Sequence, residues 1–170
     1  MSRYITILAA VLTVGCAGQP IPDMDVDGVG VKDETGALLV DPTFPARFQA
    51  ETEAGLKYAG GSWKDLKGWV VVFEAANSVT CDSGHSDAIR GCTSSASRVV
   101  RIAAAPMDGG SCIANSSLMH ELVHVVIGDH CHRSPLFQDF LSLSREVDAL
   151  ESGRQAVCRP VVSWRESPSC

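Results

Sequence analysis

The sequence predicts an α+β domain. A small sheet packs on a buried helix that carries histidines and on a second helix toward the C-terminus, and disulfides brace the whole. Three observations carry that expectation. The runs Trp69-Val70-Val71-Val72-Phe73 and 97–104 (SRVVRIAA) have strand length and are rich in β-branched residues. The stretch 118–127 is apolar at most positions, follows candidate caps at Asn115, Ser116 and Ser117, and ends at Gly128. Seven cysteines occur in 170 residues, an odd count and with no C-x-x-C spacing, which reads as a disulfide framework plus one cysteine set apart.

Taken in order, the chain opens with residues 1–15, in which Arg3 precedes an apolar run from Tyr4 to Val14. This is the pattern of a signal-peptide core, too short to span a bilayer as a helix. It ends Leu12-Thr13-Val14-Gly15-Cys16. That ending resembles a bacterial lipobox, with Thr13 standing where Leu is usual; ordinary secretion is the alternative. The resemblance implies a lipid on Cys16, palmitate included, and membrane attachment through it. Ala17 in place of Asp implies an outer-membrane destination. Setting Cys16 aside leaves Cys81, Cys92, Cys112, Cys131, Cys158 and Cys170, enough for three disulfides. The pair Cys81–Cys92 is the expected one, closing the loop CDSGHSDAIRGC.

Residues 16–41, rich in Pro, Gly and Asp, read as an acidic tether, and 42–170 as the domain proper. Asp23-x-Asp25-x-Asp27-Gly28-x5-Glu34 also fits the spacing of a calcium loop, although Pro20-Ile21-Pro22 cannot form an entering helix. Residues 35–41 are a candidate strand. Asp41-Pro42 opens a helix running through Phe44, Phe48, Ala54, Leu56 and Tyr58 and stopped by Gly60-Gly61. After the two valine-rich strands the chain turns over 106–110 and enters the histidine helix. Ser134-Pro135 then caps a further helix, with Leu136, Phe137, Phe140, Leu141, Val147 and Leu150 on one face and Gly153 at its end. Without Arg3 the chain holds thirteen basic and twenty acidic residues, a net charge of −7. With no basic patch, nucleic acid is not an expected partner.

Chemistry concentrates in His120-Glu121-x-x-His124, and four of the five histidines (His120, His124, His130, His132) lie within thirteen residues. Residues four apart on a helix sit one turn up on the same face, so both imidazoles can reach one tetrahedral metal. Glu121 flanks them and can accept a proton from a water activated there. A pair of core histidines held by hydrogen bonds is the bland alternative.

The motif resembles that of the zincin metallopeptidases, and the order of helix, strand, loop, strand and histidine helix over 42–150 is similar to theirs. The resemblance implies a minimal zincin-like metallopeptidase domain, with zinc as cofactor, a peptide or protein as substrate, and Glu121 as the base that activates a zinc-bound water. It also implies that strand 97–104 lies along the cleft with an edge open to an extended substrate. His130 stands where metzincins place their third histidine, but the glycine is one place late at Gly128, and no methionine follows Met119. The run Gly128-Asp129-x-x-His132-x-x-Pro135-x-Phe137 is similar to that of other exported zincin-like proteins, which implies His132 as third ligand. His130 stays open, as does Glu146, which lies 22 residues after His124 as in gluzincins. Cys131 as a thiolate ligand would leave an odd cysteine. Tyr4 and Tyr58 are the only tyrosines, so the oxyanion partner falls to a spare histidine, Arg133 or Arg145. His85, between Cys81 and Cys92, reads as a surface residue. A zinc peptidase of the cell envelope is thus the expected function, and a non-catalytic zinc-binding or interaction lipoprotein is its alternative.

Overall fold

The computed structural model describes residues 18–81, 89–107, 110–113, 115–129 and 132–135. The valine-rich run forms strand β3 (Val70–Glu74), the central partner of a mixed sheet. Preceding it are β1 (Met24–Val26), β2 (Val29–Asp33) and helix α1 (Phe44–Leu56). Following it are β4 (Gly91–Ser94), β5 (Val99–Met107), β6 (Gly110–Ile113) and helix α2 (Asn115–Ile127). The strands run in the order β1-β2-β3-β5-β4, and β6 pairs with β5. β2, β3 and β5 are mutually parallel, while β1, β4 and β6 pair antiparallel. The α+β class, the strand at 70–74 and the strand beginning at Val99 agree with the sequence expectation.

A strand buried on both faces needs apolar residues at every position, and β3 has them from Val70 to Phe73. Val71 and Phe73 join Val29, Val31, Val100, Ile102 and Ala104 in the core beneath the helices. Val70, Val72 and Val99 alternate onto the opposite face. On the helical side, Phe44 stacks on Phe48 with centroids 5.5 Å apart, and both meet the edge of Phe73 at 6.1 Å. Leu118, Leu122 and Val123 bring α2 into the same core. Helix α1 ends through a short 3-10 turn at Lys57–Ala59, capped by Gly60 at φ 73°, so the Gly60-Gly61 stop stands as expected. Among the described residues no helix is long and apolar enough to cross a membrane.

Four expectations need correction or bounding. First, the acidic stretch is not a tether from 24 onward. Val26-Asp27-Gly28-Val29 is a two-residue hairpin turn, with φ 44° at Asp27 and 86° at Gly28. Val26, Val29 and Val31 are buried, so this hairpin is a structural part of the sheet. Even the approach to it is anchored: Gln19 Nε2 donates to the carbonyls of Gly68 at 2.8 Å and Arg98 at 3.0 Å. Second, the calcium loop fails on geometry. Asp23 accepts from Lys32 Nζ and the Asp33 amide, Asp25 from the Gly28 amide, and Asp27 from Lys67 Nζ. Carboxylates spread along a hairpin and bound to separate donors do not wrap a cation. Asp23, Asp25, Asp27 and Glu34 form no converging metal group among the described residues.

Third, 35–41 is a turn-rich loop and not a strand. Asp33, at the end of β2 and 7% exposed, organises it. Its Oδ1 accepts from the amides of Thr35 and Gly36 and from the Thr35 hydroxyl, and its Oδ2 from the amides of Leu38 and Leu39. Burial opposes the charge, but the hydrogen bonds from Thr35, Leu39 and Leu38 outweigh it and hold the carboxyl below its ordinary value. Fourth, β5 offers no free edge along 99–102, because β3 lies on one side and β4 on the other. β4 is the last strand of the path. The predicted C-terminal helix with Glu146, Arg145 and Gly153 lies outside the described residues, as do Cys16, His85, His130 and Cys131.

Asp33→Ala strips five acceptor contacts from a loop that has no strand partner. We expect a loss of about 3 kcal/mol in urea unfolding with an unchanged m-value. Loss of less than about 1 kcal/mol would show that the loop holds itself.

Candidate metal centre

Helix α2 buries its apolar residues against β4, β5 and α1. Close approach to α1 needs small residues opposite. A Cβ at Gly55 would lie 2.5 Å from Met119 Cε, and one at Gly61 2.6 Å from Val126 Cγ1. Seated this way, α2 buries His120 (8% exposed), Glu121 (8%) and His124 (6%). Burying three polar side chains on one helical turn demands partners for them.

The third histidine arrives through a designed reversal. Gly128 takes φ 69°, and its amide donates to the His124 carbonyl at 2.9 Å, ending the helix as expected. Asp129 then pins the returning chain, its Oδ2 accepting from the Ser134 amide at 2.5 Å. Between them His132 sits at φ 56°, the left-handed region, which costs a non-glycine residue about 1–2 kcal/mol. The outcome is a cluster. His132 Nε2 lies 3.1 Å from His124 Nε2, which lies 3.2 Å from His120 Nε2. Ring centroids are 4.8 to 4.9 Å apart throughout.

These spacings fit one metal ion. A tetrahedral zinc with bonds of about 2.0–2.1 Å sets its nitrogen ligands about 3.3 Å apart. His124 Nδ1 lies 2.6 Å from the backbone carbonyl of Asp129. A carbonyl only accepts, so Nδ1 carries the proton and Nε2 presents its lone pair to the cluster. Burial, then repulsion from His124 and His132, lowers the His120 pKa to about 3. Burial likewise lowers that of His132, with Asp129 opposing. Neutral imidazoles are what a divalent ion requires. The three histidines could hold a metal ion, and they form the converging group of that kind among the described residues. Of the sequence candidates, the structure brings His132 to His120 and His124. His130 and Glu146 are not among the residues it describes.

Glu121, the residue after His120, packs against strand β4. Thr93 Oγ1 is 2.8 Å from Glu121 Oε2 and 3.0 Å from its backbone carbonyl. A Cβ at Gly91 would come within 2.7 Å of Glu121 Cγ, so glycine there makes the room that the side chain fills. Burial raises the Glu121 pKa to about 7, with the Thr93 hydrogen bond pulling the other way. Cys92, between Gly91 and Thr93, is bonded to Cys81, the expected pair. Arg133 is exposed. Sequence reasoning gave no role to Thr93, Gly91 or Asp129. Thr93 and Gly91 carry no local signal, because their contact spans about thirty residues of chain. Asp129 had one, sitting directly after a helix-ending glycine and before the third histidine.

The shifted groups set opposite pH dependences in metal-free protein. His120 takes its proton at 6.5 when unfolded and at about 3 when folded, so below 6.5 the unfolded state binds more protons and stability falls. Glu121 binds its proton at about 7 folded and 4.5 unfolded, so acidification over that window adds stability. In a Glu121→Gln background without metal, stability should therefore drop between pH 6.5 and 4. Adding His120→Asn should flatten most of that slope in urea titrations, and an unaltered slope would refute the assignment.

Comparison with protein-family models, with characterised proteins and with solved structures finds no match for this chain.

Proposed function

We propose that this chain is a zinc-dependent peptide hydrolase of the zincin type, exported to the cell envelope and held at the outer membrane by lipid on Cys16. The observation that carries the reading is the convergence of His120, His124 and His132, with the buried Glu121 following His120 on the same helix. Three neutral nitrogen donors leave a tetrahedral ion one open position, the arrangement of a catalytic rather than a structural site.

Each residue then has a task. A bound zinc supplies a Lewis acid that polarises a carbonyl and lowers the pKa of a water to about 7. His124 is kept in the ligating tautomer by the Asp129 carbonyl. His132 closes the donor set from the turn beyond the helix. Glu121, buried and held by Thr93, would take the proton from the attacking water and deliver it to the leaving amine. The disulfide Cys81–Cys92 agrees with an oxidising compartment. Imidazole donors suit zinc, and nitrogen spacings of 3.1 and 3.2 Å are near those of a tetrahedral zinc.

Elemental analysis of purified protein should find one zinc per chain, and His132→Ala should lose it. Glu121→Gln should keep the zinc while cleavage of fluorescein-labelled casein falls by about 10²- to 10⁴-fold. Zinc retained together with undiminished cleavage in Glu121→Gln would reject the mechanism, and absence of zinc from the wild type would reject the site.

A further inference from the structure

We propose that Thr93 is the positioning residue for Glu121, presented by strand β4, with Gly91 keeping open the slot in which the carboxylate lies. The inference rests on the reading of Glu121 as the base and adds the part that aims it.

Helical geometry puts the residue after a ligand about 100° round from it. Glu121 therefore leaves α2 toward its flank, and the flank is β4. A glutamate has three rotatable bonds, so the backbone alone does not set where its oxygens go. Strand β4 does so at two points. Gly91 and Thr93, two apart, share a face of the strand. Gly91 lies against Glu121 Cγ, where a methyl would come within 2.7 Å, and the Thr93 hydroxyl reaches Oε2 at 2.8 Å. The same hydroxyl lies 3.0 Å from the Glu121 carbonyl, so the strand grips side chain and helix backbone together. A hydroxyl has one proton to donate, and the carboxylate is the stronger acceptor. With Oε2 held, the carboxylate keeps lone pairs for proton transfer while losing the freedom to swing away. Cys92 points to the opposite side of the strand from its neighbours, and its bond to Cys81 ties β4 down between the two contacts.

Full-length protein loaded with Co2+ in place of zinc provides a readout that needs no substrate. Its visible d–d bands respond to what lies beside the open coordination position. Wild type, Thr93→Val, Thr93→Ser, Gly91→Ala and Glu121→Gln are compared at one pH for cobalt content, spectrum and casein cleavage. All five should bind one cobalt. Thr93→Val and Gly91→Ala should take on the Glu121→Gln spectrum, and their kcat should fall about 10- to 100-fold at unchanged KM. Thr93→Ser, which keeps the hydroxyl, should restore the wild-type spectrum. A wild-type spectrum in Thr93→Val beside an altered one in Glu121→Gln overturns the proposal and leaves Glu121 as the base. A wild-type spectrum and full cleavage in Glu121→Gln overturn the underlying reading. Loss of cobalt from Thr93→Val would show a merely structural role and also defeat the proposal.

Discussion

Helix α2 has to bury one side against the sheet while carrying two imidazoles and a carboxylate into the same interior. The rest of the structure answers that constraint. Leu118, Leu122 and Val123 join the core, so the helix cannot roll to release His120, Glu121 or His124 to water. Buried polar groups of this density are tolerable only when each finds a partner. His124 finds the Asp129 carbonyl on one nitrogen and the histidine cluster on the other. Glu121 finds Thr93. The cluster itself, with two of its nitrogen spacings at 3.1 and 3.2 Å, could hold a metal ion.

Backbone devices at the C-terminal end of the helix serve the same end. Gly128 permits the sharp reversal, Asp129 ties the returning chain through Ser134, and His132 accepts a left-handed conformation to point back. Strain at a single non-glycine residue persists only where surrounding contacts over-determine it. Here the contacts come from Asp129, which supports one ligand through its carbonyl and the turn that bears another through its side chain. On the far side, glycines at 55 and 61 let α1 and the turn after it approach α2 to contact distance. Rigidity of the scaffold and placement of the donors are thus one property.

How much of this was legible from the chain varies with the range of the interaction. The strand at 70–73, the helix ending at Gly128, the stop at Gly60 and the link Cys81–Cys92 all rest on neighbours in sequence, and the structure agrees with each. The hairpin at Asp27-Gly28 was equally legible, since a turn dipeptide between Val26 and Val29 is a strong hairpin signal. Its aspartates also suit a solvated linker and the spacing of a calcium loop, and that overlap masks the alternating valines. Strand β4 carried no such signal: Gly91-Cys92-Thr93-Ser94 is poor in apolar residues and is held by its neighbours β5 and α2.

The amino-acid order by itself determined that two histidines and a glutamate share one helical turn, because a 3.6-residue period leaves no other arrangement. It also set the apolar surfaces that make the helix and the central strand interior elements. Tertiary structure decided that His132 meets His120 and His124, and that Thr93 meets the Glu121 carboxylate. Those choices depend on a loop reversal that returns His132 to the helix, and on an edge strand that meets Glu121 from 28 residues away. The run Gly128-Asp129-x-x-His132 points to the first, whereas the contact between Thr93 and Glu121 has no local pattern, because it arises only once the sheet and the helix have packed.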